Sequence, residues 1–218
     1  MEKKKIIYDL MLQYFVANDD LRPIMKNVHD AGNGYLYASD GHIAIRLKKE
    51  KTSKAYDTIE KYPNAEKIIQ EAIDREGNKN AVIKTSDLIQ ILSEAAWRRV
   101  RYGDKCMDCD GSGTVECEHC GSDYDCKECN GKGTKNVRIR DFSLLVCEES
   151  NYCIKIGNLI FKTDFLYIIA LMAQMLQVDE IQYLYKEKTQ GGVFSFDGVD
   201  ILLMPILSDN VKAVLTIK

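Results

Sequence analysis

The chain has 218 residues, a formal net charge of −3 and 45% apolar residues. That apolar share supplies a real core and sets intrinsic disorder aside, and the length suits one large domain or two small ones. The slightly acidic balance argues against wrapping nucleic acid through overall charge, while leaving room for a local basic patch.

No apolar run reaches the ~18–20 residues that a membrane span needs. The charged start Met1-Glu-Lys-Lys-Lys leads into a segment that Asp9 and Gln13 interrupt, so no secretory h-region forms and a cytoplasmic protein is expected.

Taken in order, residues 5–16 space Ile6, Ile7, Leu10, Met11, Tyr14 and Phe15 as one face of a helix. Residues 24–29 are expected to be extended after Pro23. Asp30 to Gly34 is a turn, Tyr35 to Ala38 a strand, Ser39-Asp40-Gly41-His42 a second turn, and Ile43 to Leu47 a half-buried strand. A charged stretch follows over 48–57. Residues 65–75 are expected as a short amphipathic helix ending at Gly77, and Ala81 to Lys84 as a strand. Thr85-Ser86-Asp87 supplies an N-cap for a helix running to about residue 98. Beyond residue 135, 136–141 and 143–147 are expected as two strands or one bent strand, with further strands at 151–156 and 159–161. The 165–176 segment is apolar nearly all round and predicts a buried helix. Three strands at 180–185, 192–196 and 201–206 and an edge at 213–217 complete the chain. Asp40-Gly41 and Asp197-Gly198 occupy matching places in two similar strings of elements, which predicts two related half-units. The Asp40 and His42 pair is read as turn chemistry and not as an acid–base couple.

Between these halves, Gly103 to Lys135 carries six of the eight cysteines and six of the fourteen glycines. Its sizeable apolar side chains are Met107, Val115 and Tyr124, too few to offset the entropy of ordering the segment. The cysteines form three C-x-x-C pairs, Cys106/Cys109, Cys117/Cys120 and Cys126/Cys129. The first and third are followed by Gly111-Ser-Gly113 and Gly131-Lys-Gly133, glycines suited to the positive φ of a metal-binding turn. Sixteen residues separate Cys109 from Cys126, a two-knuckle zinc spacing, so Cys106, Cys109, Cys126 and Cys129 are expected around one zinc. Cys117 and Cys120 remain open. They join a second zinc with His119, Asp123, Asp125, a second chain, or Cys147 and Cys153; or they stay free; or they compete with an outer pair. A disulfide cluster and a redox-active C-x-x-C rank lower, the first for want of a secretory context and the second for want of a helix N-terminus.

Charge is divided across this segment. Arg98, Arg99, Arg101, Lys132, Lys135, Arg138 and Arg140 gather where its ends would meet, a candidate phosphate-contacting patch whose alternative is a solvated face. Asp104, Asp108, Asp110, Glu116, Glu118, Asp123, Asp125 and Glu128 make its tip acidic, suited to a protein partner.

Residues 106–113 and 126–133 resemble the C-x-x-C-x-G-x-G unit of the cysteine-rich domain of DnaJ-type co-chaperones. Residues 117–120 keep only the C-x-x-C, and no His-Pro-Asp is present. That resemblance implies a zinc fold. A second one sets the body. Phe15 to Val28 with its Leu21-Arg22-Pro23, the turn Tyr37-Ala-Ser-Asp40-Gly41-His42-Ile-Ala, Tyr62-Pro63-Asn64 and Ile201-Leu-Leu-Met204-Pro205-Ile206 occur in an order that resembles the bacterial DNA polymerase sliding clamp. The clamp resemblance implies an α+β, DNA-clamp-like fold: two β-α-β-β-β half-units forming one domain, over residues 1–102 and 136–218, with a zinc-binding insert at 103–135. It implies a non-enzymatic binding protein of DNA replication or maintenance, with the zinc lobe facing a protein partner and DNA as a second candidate. The alternative is a protein-interaction or chaperone-like zinc module on a clamp-like scaffold. The clamp has three such domains per chain and lines its ring with basic helices. This chain is shorter, and its 165–176 helix has no basic residue.

Overall fold

A computed structural model describes all residues except 1, 18–20, 96, 100–101, 117–120, 132, 139–144, 148–151, 187–189, 209 and 218. For 97–99, 102–105, 134–138 and 145–147 it describes the backbone. Two compact units result: residues 1–95 with 149–218, and residues 96–148.

The larger unit begins with helix α1 (Glu2–Tyr14), followed by β1 (His29–Asp30), β2 (Tyr35–Ser39), β3 (Ile43–Lys48), α2 (Ala65–Ile73), β4 (Lys79–Lys84) and α3 (Thr85–Ser93). The smaller unit contributes β5 (Trp97–Arg99), β6 (Tyr102–Lys105), β7 (Thr114–Glu116), β8 (Asp123–Asp125), β9 (Thr134–Arg138) and β10 (Leu145–Cys147). The chain then returns with β11 (Cys153–Ile156), β12 (Leu159–Lys162), α4 (Thr163–Met175), β13 (Glu180–Tyr185), β14 (Gly192–Phe196), β15 (Val199–Leu203) and β16 (Val211–Leu215).

Seven strands form one sheet in the order β1-β2-β3-β15-β14-β13-β4, and three more form a second, β12-β11-β16. The strands that leave the two Asp-Gly turns pair with each other: β3 lies antiparallel to β15, with Ile45 opposite Ile201. Period-two alternation sorts the seven-stranded sheet into two apolar faces. Tyr37, Ala44, Val193 and Leu202 pack on one face against Ala65, Ile69 and Ala72 of α2. Leu36, Ile45, Leu47, Phe194, Ile201 and Leu203 alternate with them, are fully or almost fully buried, and point to the opposite face. There Phe161 of β12 meets Phe194 and Tyr183 edge-on, at centroid distances of 5.7 and 6.4 Å. Helix α4 buries seven of its thirteen residues, as an all-apolar helix should.

Helix α1 turns a different face inward from the one expected: Tyr8, Asp9, Met11 and Leu12 are buried, while Ile6 is half exposed. Three further elements differ from the sequence expectation in type or length. Residues Pro23–Lys26 form a 3-10 turn, with Met25 N donating to Arg22 O at 3.0 Å, and the extended part shrinks to β1. Helix α3 stops at Ser93, because Trp97–Arg99 pairs as a strand with Leu145–Cys147. Here a tertiary partner outweighs local helix propensity. Strand β15 ends before Pro205, which has no N–H for a ladder; Met204 N goes to His42 O instead. The threonines that open α3 and α4 do not act as N-caps. Thr85 Oγ1 donates to Val178 O and Thr163 Oγ1 to Tyr152 O, each at 2.6 Å, tying the helix starts to neighbouring chain segments.

Candidate metal centre

Within the smaller unit, β6 pairs with β9 and β7 with β8, both antiparallel. Each ribbon feeds a knuckle: Cys106 follows β6, and Cys126 follows β8. The two knuckles share a common set of backbone bonds. Gly111 N donates to Cys106 O at 3.0 Å, and Gly131 N to Cys126 O at 3.1 Å. Gly113 N points at Cys109 Sγ at 3.3 Å, and Gly133 N at Cys129 Sγ at 3.2 Å. The knuckles then bond across to each other, Cys106 N to Gly133 O and Cys126 N to Gly113 O, at 2.9 and 2.8 Å. The result is a local pseudo-twofold pair.

Backbone conformation explains the residues between the cysteines. Asp110 and Asn130 both sit at φ 50°, in the left-handed region that Asp and Asn tolerate better than most side chains. Gly113 and Gly133 combine positive φ with close approach. A Cβ on Gly113 would lie 2.5 Å from Gly131 O, and one on Gly133 would lie 2.3 Å from Gly111 O. Only glycine lets the knuckles approach so closely.

This packing brings Cys106, Cys109, Cys126 and Cys129 together, all buried, with their four sulfurs within 4.8 Å of one another. Cys106 Sγ lies 3.9 Å from Cys126 Sγ, and Cys109 Sγ lies 3.7 Å from Cys129 Sγ. A tetrahedron with metal–sulfur bonds of about 2.3 Å has edges of about 3.8 Å. Disulfide sulfurs would stand at about 2.05 Å, and no disulfide joins these four. Among side chains, half-buried Val115 packs against the cluster. Burial pushes the Cys106 thiol up. At Cys109 burial also pushes upward, but the Gly113 N–H and the Cys106 and Cys129 thiols outweigh it and bring the group down to about 7. A buried all-sulfur set with N–H groups directed at two of its sulfurs can hold a soft or borderline metal ion as thiolates.

Cys117, Cys120, Glu118 and His119 lie outside the described residues, as do Arg101, Lys132 and Arg140. Arg98 and Arg99 sit on β5 opposite Val146 and Leu145. Lys135 and Arg138 sit on β9 opposite Asp104 and Tyr102. Cys147 is on β10, and Cys153 is buried on β11 in the larger unit. On the lobe's surface Asp108, Asp110, Glu116, Asp123, Asp125 and Glu128 are exposed, with Met107 and Tyr124 also open to solvent.

In the larger unit, Asp40 closes its own turn: Oδ1 accepts from His42 N at 2.8 Å and Ile43 N at 3.0 Å. Arg22 Nη1 braces the same turn through Asp40 O at 2.6 Å. Asp197 holds the matching turn and accepts from Lys51 Nζ at 2.7 Å and Tyr8 Oη at 2.5 Å. Sequence reasoning passed over Asp9, which is buried on α1 and accepts from Ser53 N at 3.0 Å, from Tyr56 Oη at 2.8 Å, and from the Ser53 hydroxyl. The apolar face read from the sequence, through Ile6, Leu10 and Tyr14, lies on the other side of the helix from Asp9, so the helical pattern gave no signal for it.

No family model and no curated protein matches the sequence. The fold does find counterparts among solved structures. It is similar to the sliding clamp (DNA polymerase III subunit beta) from Bartonella birtlesii, solved bound to griselimycin, with a TM-score of 0.51 and 11% identity over 95% of this chain and 65% of that one. The sliding clamp from Pseudomonas aeruginosa gives a TM-score of 0.51 at 11% identity, over 95% of this chain and 66% of that one. The DNA polymerase III beta subunit from Thermotoga maritima gives 0.50 at 11% identity, over 95% and 65%. The fold is thus a mixed α/β, sliding-clamp-like one. The chain spans just under two thirds of the length of these clamps. Among the described residues, no helix is long and apolar enough to cross a membrane.

Proposed function

We propose that this chain is a non-enzymatic, clamp-like binding protein of DNA replication or maintenance. Its body is two β-α-β-β-β half-units meeting at the β3–β15 pair, within residues 1–102 and 136–218. Its 103–135 insert carries one structural zinc on Cys106, Cys109, Cys126 and Cys129. The zinc supplies the cross-link that an insert with so few apolar side chains lacks, and closes a four-thiolate site with no open position for chemistry. The exposed carboxylates of the lobe then form a partner-recognition surface, and the basic residues at its base, Arg98, Arg99, Arg101, Lys135, Arg138 and Arg140, a secondary contact for DNA phosphates. The observation that carries this reading is the clamp-like fold over 95% of the chain.

The test is capture of partners from host lysate with the full-length, zinc-loaded protein after nuclease treatment. Replication or repair proteins are expected, and a variant with Asp108, Asp123 and Asp125 changed to Asn is expected to lose them. Recovery dominated by unfolded polypeptides would overturn the proposal in favour of a chaperone-like zinc module, the reading that the two matched C-x-x-C-x-G-x-G knuckles would then carry.

A further inference from the structure

Residues 52–64 cross from β3 to α2 without regular structure, and they are pinned at two ends. At one end Asp9 takes Ser53 and Tyr56. The other end lies along β1, the outermost strand of the seven-stranded sheet. Asp30 N donates to Asp57 O at 3.0 Å, and Ile59 N donates to His29 Nδ1 at 3.0 Å. The Tyr62 ring stacks flat on the His29 ring, 4.7 Å between centroids and 7° between planes. This strap therefore takes up the Asp30 N–H, a backbone group that an end strand otherwise leaves open for pairing.

The bond to Ile59 fixes the state of the histidine. An imidazole nitrogen can accept an N–H only when it carries no proton, so His29 must be neutral with its proton on Nε2. Once protonated, both ring nitrogens donate, and Nδ1 would face the Ile59 N–H donor to donor. We propose that His29 is a pH-operated latch: neutral, it holds the 57–62 strap on the sheet edge; protonated, it releases the strap and exposes the Asp30 N–H at that edge.

The surroundings set the range. Burial is the larger influence on His29 and lowers it from its ordinary value; the neighbouring Asp30 carboxylate opposes this. Asp30 is itself held low, first by the Lys49 ammonium and then by Gly32 N–H, so it stays ionised while His29 titrates. Tyr37 faces His29 across the strand pair, and burial raises its phenol. Burial pushes the Tyr62 phenol up to about 12, so the stacked ring is neutral. Asp57, Glu60 and Lys61 of the strap are exposed. A folded-state value below the unfolded one means that the folded form favours the neutral ring. The latch is therefore fully closed above about pH 6.5 and weakens as pH falls below it.

Amide hydrogen exchange on the full-length protein, corrected for intrinsic rates, tests the latch between about pH 7.5 and about pH 5. The Ile59 and Asp30 amides are expected to lose roughly tenfold or more of their protection toward acid, while the Ser53 amide on Asp9 holds its own. His29→Asn places Oδ1 where Nδ1 stands and cannot titrate, so its Ile59 protection is expected to persist in acid. His29→Ala is expected to lose it at both ends of the range. Protection in the unmodified protein that does not change with pH would overturn the proposal, as would a His29→Asn variant that opens at the same pH.

Discussion

In the larger unit a seven-stranded sheet is covered on both faces, and its interior is made of side chains such as Leu36, Ile45, Phe161, Tyr183 and Phe194, each at most 1% exposed. In the smaller unit the buried side chains among the described residues are four cysteines, and the backbone closes around them through Gly113 and Gly133. Both regions have ordered turns with left-handed residues. They differ in what compensates the entropy of fixing them. In the sheet unit, apolar area removed from water does so, spread over many residues. In the cysteine lobe the proposed zinc would concentrate the compensation at a single point, so one change there is expected to matter more than any single change in the sheet.

The largest expected effect follows from that concentration. Stripping the proposed zinc with a chelator, or replacing Cys109 and Cys129 by Ser, is expected to unfold the lobe and leave the larger unit folded. Metal binding contributes about 10–16 kcal/mol in comparable isolated sites, far beyond what Val115 alone could replace. Metal content together with exchange at the Cys106 and Cys126 amides, which bond Gly133 O and Gly113 O, reports the outcome. Amides that stay protected in the metal-free protein would break the comparison, because the lobe would then be holding itself.

The next effect runs the other way. Phe161→Ala removes a ring that meets both Phe194 and Tyr183 in the larger unit. A loss of about 3–5 kcal/mol in urea unfolding of that unit is expected, with metal content unchanged. A smaller pair of carboxylate changes sharpens the same unit. Asp9→Ala leaves the Ser53 N–H and the Tyr56 hydroxyl without their acceptor, and about 1–3 kcal/mol is expected. Asp197→Asn, at a half-exposed turn held by Lys51, is expected to cost at most about 1 kcal/mol.

The two regions also differed in how much of them was legible in the sequence. In the lobe, cysteine spacing alone groups the four sulfurs that lie together, because ligand geometry restricts a C-x-x-C turn so tightly. In the sheet unit, strands such as Tyr35–Ser39 and helices such as Ala65–Ile73 follow from local periodicity. Their partners do not. The pairing of β3 with β15 joins residues more than 150 positions apart, as Arg46 bonding Asp200 shows at 2.7 Å. Trp97–Arg99 continues a helical pattern and still becomes a strand, since its fate is set by Leu145–Cys147. His29 and Asp9 gave no local sign of their roles. Each is defined by a strap that has no periodicity of its own.

The finest test isolates close approach from backbone strain. Gly34 and Gly113 share φ 87°, so an alanine at either position pays the same left-handed penalty, about 1–2 kcal/mol. A Cβ on Gly34 meets nothing within 4 Å, whereas on Gly113 it meets a backbone carbonyl of the opposing knuckle at 2.5 Å. That carbonyl cannot move aside without shifting Gly131, and with it the Cys126–Cys129 turn. Gly113→Ala is therefore expected to cost about 1–3 kcal/mol more than Gly34→Ala. The excess should appear as metal affinity, roughly tenfold to a hundredfold weaker in competition with a chelator, because the knuckles must separate to admit the methyl group. Gly34→Ala should leave metal affinity unchanged and lower only the unfolding midpoint of the larger unit. Equal metal affinity in the two variants would mean that the lobe absorbs the methyl by relaxing, and that the tight pseudo-twofold contact is not what sets the spacing of its sulfurs.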